Sequence, residues 1–183
     1  MRQPDWDSKR DSEQTRSRLL AALGVTAMHL ADYAPPLQPI ASEDALQPFP
    51  SQDFSHIRLK EPALGAAIRL IETAADDNVR LYPISGFRSL EYQAGLIQRK
   101  LQRGTAIETI MRVNALPGYR EHHTGEALDL GTSAETDLET QFEETRAFKW
   151  LAKHAHEFRF TLSYPRDHAY GFIYEPWHWR YMP

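Results

Sequence analysis

Apolar Leu64, Ala67, Ile68 and Ile71 recur at helical spacing behind Pro62, and Asp76-Asp77-Asn78 supplies a stop, which predicts a helix over 61–75. Val79 to Ile84 has strand character. Ser85-Gly86-Phe87-Arg88-Ser89 is a turn handing over to a helix from Leu90 towards Arg103, ended by Gly104, and Thr105 caps a further short helix. The stretch 115–124, with Pro117 and Gly118, is a loop, and 126–130 alternates polar and apolar as a half-buried strand does. Phe142, Phe148, Trp150, Leu151 and Ala155 suit the buried stripe of one long helix over 136–158. Residues 160–164, 171–175 and 179–182 then have the pattern of terminal strands. Ahead of all this, Leu19, Leu20, Leu23 and Val25 give a modest amphipathic helix within 12–30. Pro35, Pro36, Pro39, Pro48 and Pro50 make 33–50 an extended connector. Helices and strands do not alternate regularly, so the fold class is α+β, with a small, mostly antiparallel sheet flanked by helices. The N-terminal helix and proline-rich extension, residues 1–55, form an accessory that packs on a core unit over 56–183.

A chain of 183 residues with 42% hydrophobic positions is long enough for one well-packed domain and short for two. The formal net charge of -4 and pI near 6.1 give no broad basic surface, which argues against nucleic acid as a partner. There is no cysteine, so a metal must sit on nitrogen and oxygen ligands, with zinc the leading candidate. No apolar run approaches the ~20 residues of a membrane span. Met1-Arg2-Gln3-Pro4-Asp5-Trp6 leads into charge and not into a signal-peptide core.

Against this background two polar clusters stand out: Glu121-His122-His123-Thr124-Gly125-Glu126-Ala127-Leu128-Asp129 and Glu175-Pro176-Trp177-His178. Together they offer two histidines and a carboxylate for a metal, plus a carboxylate left over to take a proton from water. Ala127 and Asp129 project to the same face of the predicted strand, where the small side chain leaves room for an ion. Pro176 forces a turn that returns His178 towards Glu175, with Trp177 as a wall. Taken alone, each residue has a plainer reading: a loop histidine, a turn-capping aspartate, a solvated glutamate. His122 and His123 are adjacent, so the residues by themselves leave open which of them binds.

His122-x-x-Gly125-x-Ala127-x-Asp129 followed by Glu175-x-Trp177-His178 resembles the signature of the zinc D,D- and L,D-carboxypeptidases of bacterial cell walls. That group includes the vancomycin-resistance D-alanyl-D-alanine carboxypeptidases and shares its fold with the hedgehog signalling domain. The resemblance runs from about Ile84 to Tyr181 and takes in Ser85-Gly86-Phe87-Arg88-Ser89, Tyr92-Gln93 and Pro117-Gly118-Tyr119. It implies a hedgehog/D-Ala-D-Ala peptidase-like fold, with 56–183 as the zinc peptidase catalytic domain. It also implies one catalytic zinc on His122, Asp129 and His178, with Glu175 as general base. Arg88 would face the substrate and either stabilise its developing oxyanion or hold a carboxylate, and Gln93 would supply substrate hydrogen bonds. Tyr164 and Trp177 are further substrate-contact candidates, and His123 becomes a supporting or surface residue. Such relatives usually carry serine two residues before the first histidine. Here Arg120 stands there, turned to solvent or reading a substrate carboxylate.

The expected function is therefore hydrolysis of the bond to the C-terminal D-amino acid, D-alanine, of a peptidoglycan stem peptide by metal-activated water. The alternatives are a non-catalytic zinc-stabilised module that binds peptidoglycan or a protein, or a cell-wall endopeptidase. A retained Glu175 speaks against the first, since a purely structural zinc site has no use for an unbound base. The resemblance implies a periplasmic or cell-wall location, while the N-terminal residues of this chain do not read as a signal peptide, which leaves a cytoplasmic location open as the alternative. His154, His156 and His168 are read as surface or loop histidines outside the site.

Overall fold

The computed structural model describes residues 6–183, with side chains from residue 11 onward; the reading of the first five residues lies outside this range. In chain order the elements are α1 (Trp6–Ala22), α2 (Ala27–Ala31), β1 (Leu46–Pro48), β2 (Arg58–Lys60) and α3 (Glu61–Asp76). They continue with β3 (Tyr82–Ser85), α4 (Leu90–Gln102), α5 (Ile107–Val113), β4 (Ala127–Gly131), α6 (Arg146–His154), β5 (Phe160–Leu162) and β6 (His178–Tyr181). The architecture is the α+β expected: a four-stranded antiparallel sheet in the order β3-β4-β6-β5, plus a small β1-β2 pair.

The central strand sets the frame. All five residues of β4 are buried, so the alternation expected of a half-exposed strand gives way to cover on both faces. Leu128 and Leu130 enter the main core with α3 (Ala63, Ala67, Leu70), α6 (Trp150, Leu151) and Phe142, while Asp129 points the other way into the site. Each of the larger apolar side chains contributes about 1.5–3 kcal/mol by leaving water, and this anchors the strand that carries the polar centre.

A second core joins Leu20, Leu23 and Val25 to Ala94 and Ile97 of α4, Ile110 of α5 and Leu116. The helix expected across 12–30 is interrupted at Gly24 (φ +76), which ends α1, and Thr26 caps α2. The proline-rich connector runs back over the core, its Gln38 and Ala41 N–H groups donating to Gly118 and His123 carbonyls, before β1 pairs with β2. Neither short strand is anticipated by the hydrophobic pattern, because three residues are too few to show a period.

Two predicted elements are corrected. The single helix over 136–158 is instead a turn, a 3-10 segment (Thr140–Glu144), α6 and a second 3-10 segment (Ala155–Phe158). Leu138 adopts φ +59, which an α-helix cannot pass through, and Thr145 starts α6 afresh by capping Phe148 N–H, so no continuous ladder forms. The strand expected at 171–175 is irregular. Gly171 lies at φ +73 and the run makes no ladder, with only Glu175 N–H reaching Tyr164 O across it.

Tyr33 ties the N-terminal extension to the loop before the site, its hydroxyl accepting the Leu116 N–H at 3.1 Å and its ring packing edge-on to Tyr119. Burial, partly offset by the Leu116 bond, pushes the Tyr33 phenol up from 10.0 to about 12. The folded-state value lies above the unfolded one, so stability is full below pH 10 and is lost as pH rises towards 12, by about 2–3 kcal/mol from this group. Denaturant titrations from pH 8 to 12 should show this decline. Tyr33→Phe, about 1 kcal/mol weaker at neutral pH for leaving the Leu116 N–H unpaired, should show a shallower slope above pH 10. Burial raises Tyr82 and Tyr174 as well, so part of the slope remains.

Candidate metal centre

Sheet register builds the centre. Asp129 on β4 is paired with Ser85 on β3 on one side and with His178 on β6 on the other. Three residues after Ser85 comes Arg88, and three before His178 comes Glu175, in a turn closed by His178 N–H to Glu175 O and Trp179 Nε1 to Pro176 O. The fourth arm is the short 3-10 segment Glu121–Thr124, which carries His122 and ends at Gly125. Gly125 has φ +70, and a Cβ there would meet Leu46 Cδ2 at 2.8 Å, so only glycine allows the chain to turn from His122 into β4.

His122, Asp129 and His178 are wholly buried and their ligand atoms lie within 4.8 Å of one another. Each histidine has one nitrogen fixed outward. His122 Nδ1 donates to the Gly86 carbonyl at 2.6 Å, and His178 Nε2 is held by Glu121 Oε2 at 2.9 Å. That leaves His122 Nε2 and His178 Nδ1 facing the two oxygens of Asp129, at 3.1 and 3.0 Å. His122 Nε2 makes no hydrogen bond although it is buried 3.1 Å from Asp129 Oδ2, so two lone pairs confront each other there. A cation between them resolves that conflict. Donor separations in a tetrahedral zinc site are about 3.3 Å, close to those present. Burial, reinforced by Arg88, lowers His122 to about 3 and keeps it neutral, as a metal ligand must be. Burial acts upward on Asp129, but the Arg88 guanidinium beside it holds its carboxyl well below the usual range.

Gly86, whose carbonyl fixes His122, is packed so that a Cβ would lie 2.6 Å from the Arg58 carbonyl. Arg88 Nη2 donates to Asp129 Oδ2 at 2.6 Å and its Nε to Ser85 Oγ at 2.9 Å. Its backbone is clipped to the 3-10 segment, N–H to His122 O and carbonyl to His123 Nδ1. His123 is therefore wholly buried, accepting the Gly118 N–H at Nε2, and bridges two loops; the surface placement allowed for it does not hold.

Glu175 is nearly buried, with Oε2 3.9 Å from His178 Nδ1, beside the metal position but outside the ligand set. Both its oxygens accept from Arg120, Oε1 from Nη1 at 3.0 Å and Oε2 from Nη2 at 2.6 Å. Arg120 thus does not turn to solvent. Its guanidinium sits 4.9 Å from the Tyr164 ring, which in turn stacks on His178 with centroids 4.5 Å apart and planes 11° from parallel. Gln93 is buried on α4, its amide donating to Ala115 O at 2.7 Å while Oε1 has no partner. Trp177 packs into the main core, and its carbonyl accepts the Leu130 N–H. His168 is half-buried against Tyr164, Tyr170 and Phe172.

The residue whose role the sequence did not disclose is Glu121. Besides His178 it accepts Ser163 Oγ at 2.6 Å and Arg180 Nη1 at 3.0 Å, and burial notwithstanding these partners lower its carboxyl to about 2. Its adjacency to His122 is the one signal available in the sequence, and it points to the wrong histidine.

The family model that describes VanY-type D-alanyl-D-alanine carboxypeptidases matches residues 56–183. A D-alanyl-D-alanine carboxypeptidase of Enterococcus faecium is 37% identical over 101 residues, covering 54% of this chain and 28% of that protein. The bifunctional D-Ala-D-Ala dipeptidase and carboxypeptidase VanXYC of Enterococcus gallinarum is 31% identical over 115 residues, covering 60% of this chain and 59% of that protein. This chain thus spans well under two thirds of the length of these curated relatives. Among solved structures, the LD-carboxypeptidase LdcB superposes with a TM-score of 0.68 at 25% identity, over 80% of this chain and 71% of that one. With the family match extending over more than half of its length and over every residue of the centre, the chain belongs to the VanY D-alanyl-D-alanine carboxypeptidase family.

Proposed function

We propose that the protein is a zinc-dependent carboxypeptidase that removes the C-terminal D-alanine from a peptidoglycan stem peptide. The observation that carries this reading is the buried trio His122, Asp129 and His178, whose inward nitrogens and carboxylate face one another, beside a carboxylate that is not one of the ligands. His122 Nε2, Asp129 and His178 Nδ1 would hold the ion; a donor set of two imidazoles and a carboxylate without sulfur suits catalytic zinc. When bound, zinc there supplies Lewis acidity, polarising the scissile carbonyl and acidifying a water molecule. Glu175 takes the proton of the attacking water and passes it to the departing amine. Arg88, fixed by Ser85 and Asp129 at the rim, places a guanidinium where negative charge develops on the carbonyl oxygen. Tyr164 holds the His178 ring in plane, and Gln93 Oε1 is a buried acceptor for a substrate N–H. Residues 56–183 are the catalytic unit, and the site of action is the periplasm or cell wall. Among the described residues no helix is long and apolar enough to cross a membrane.

Mass spectrometry of products from defined penta- and tetrapeptide stems tests the reading. Loss of a single C-terminal D-alanine supports it, whereas internal cleavage, or no cleavage by zinc-loaded protein, refutes it. Glu121 gives a second check, because it fixes which nitrogen of His178 is left for the ion. Glu121→Ala should weaken metal affinity about 10–100-fold in a competition assay with a chromophoric chelator, and Glu121→Gln, which still accepts the His178 Nε2 proton, should weaken it less. Equal affinity in all three proteins would separate Glu121 from the metal.

A further inference from the structure

Arg120 has two properties that the reaction above leaves unused. It is 5% exposed, yet its Nε–H has no hydrogen-bond partner, so one edge of the guanidinium is a buried donor without an acceptor. The other edge occupies both oxygens of Glu175, so a water proton competes with two N–H donors for the carboxylate that is to receive it. A buried arginine in this state has capacity for a second anion and a first anion it must partly release.

The chemistry of an exopeptidase brings such an anion to this place. The leaving nitrogen must come within hydrogen-bond reach of Glu175, which protonates it. In the departing amino acid the terminal carboxylate carbon is only about 2.5 Å from that nitrogen, across a single Cα. The cation closest to Glu175 is therefore also within reach of the substrate's C-terminus. That cation is Arg120, at 2.6 and 3.0 Å from the Glu175 oxygens, whereas Arg88 already commits Nη2 to Asp129 and Nε to Ser85. The Tyr164 face beneath the guanidinium is a flat apolar surface along which it can shift without losing contact.

We infer that Arg120 exchanges partners on substrate binding, passing from Glu175 to the terminal carboxylate of the peptide, and so restricts the site to free C-terminal acids while releasing the base. The inference rests on the proposed role of Glu175 and adds a specificity determinant to it. The planar guanidinium at this position acts as a charge-selective fork.

The test compares each peptide acid with its C-terminal carboxamide in zinc-loaded wild type, Arg120→Ser and Arg120→Lys. Wild type should favour the acid, and Arg120→Ser should reduce the acid-to-amide ratio of kcat/KM by about 10–100-fold, the loss expected for a charge-assisted pair, chiefly through KM for the acid. Arg120→Lys, which keeps the charge without the fork and guards against a folding defect, should fall between. If Arg120 serves only to hold Glu175 or the fold, both substrates slow together and the ratio is unchanged, which overturns the inference. Should wild type cleave no peptide, the carboxypeptidase reading fails separately, and calorimetry with D-alanine and D-alaninamide still decides the point. Tighter binding of the acid that Arg120→Ser abolishes supports the exchange; equal loss for both ligands refutes it.

Discussion

Glu175→Gln should lower kcat about 10²–10⁴-fold while the metal content stays at wild-type level. Glutamine keeps the shape and one acceptor oxygen but cannot take a proton from water, and Glu175 lies 3.9 Å from the nearest ligand nitrogen, outside the set that holds the ion. The same substitution carries a stability cost, because Arg120 then faces a neutral amide in a buried site. Removing one partner of a buried pair costs about 3–5 kcal/mol, so a lower Tm should accompany the loss of turnover, and activity must be read well below it. Full activity with metal bound would remove Glu175 from the mechanism; loss of metal together with activity would make it a ligand instead.

His122→Ala should act the other way round, on the metal first. The substitution deletes one of three protein ligands and also strands the Gly86 carbonyl, whose partner is His122 Nδ1. Removing a group that merely supports a ligand costs about 10–100-fold in affinity, and loss of the ligand itself should exceed that range. Linkage makes the difference visible without substrate. At about 1,000 times its Kd, zinc should stabilise the wild type by about 4 kcal/mol against denaturant, and this increment should vanish in His122→Ala. A variant that still gains the full increment would place the ion elsewhere.

The elements that build the centre are those whose signals are local. Pro62 and the 3.6-residue spacing mark α3, Ser89 caps α4 by accepting the Tyr92 N–H, and Gly125 marks the turn into β4, where φ is +70 and a Cβ would crowd Leu46 Cδ2. The ligand set follows from spacing combined with family resemblance, since on residues alone His122 and His123 were equivalent. What the sequence hid are partnerships across long separations. Glu121 meets His178 from 57 positions away, and Arg120 meets Glu175 from 55, contacts that exist only because β4 and β6 lie side by side. The helix predicted over 136–158 fails for the converse reason: its apolar stripe is real and enters the core through Phe142, Trp150 and Leu151, but Leu138 at φ +59 and the Thr145 cap on Phe148 N–H interrupt the ladder. Trp177 illustrates the limit of motif transfer, for its position in the Glu-Pro-Trp-His turn suggests a cleft wall whereas the ring lies in the main core.

Anomalous scattering at the zinc absorption edge from crystals of the zinc-loaded protein tests the central claim most directly. The predicted result is one strong peak about 2.0–2.2 Å from His122 Nε2, His178 Nδ1 and an Asp129 oxygen, with the Glu175 carboxylate beyond bonding distance. A peak bonded to Glu175 or His123, or zinc bound stoichiometrically away from these three residues, would contradict it.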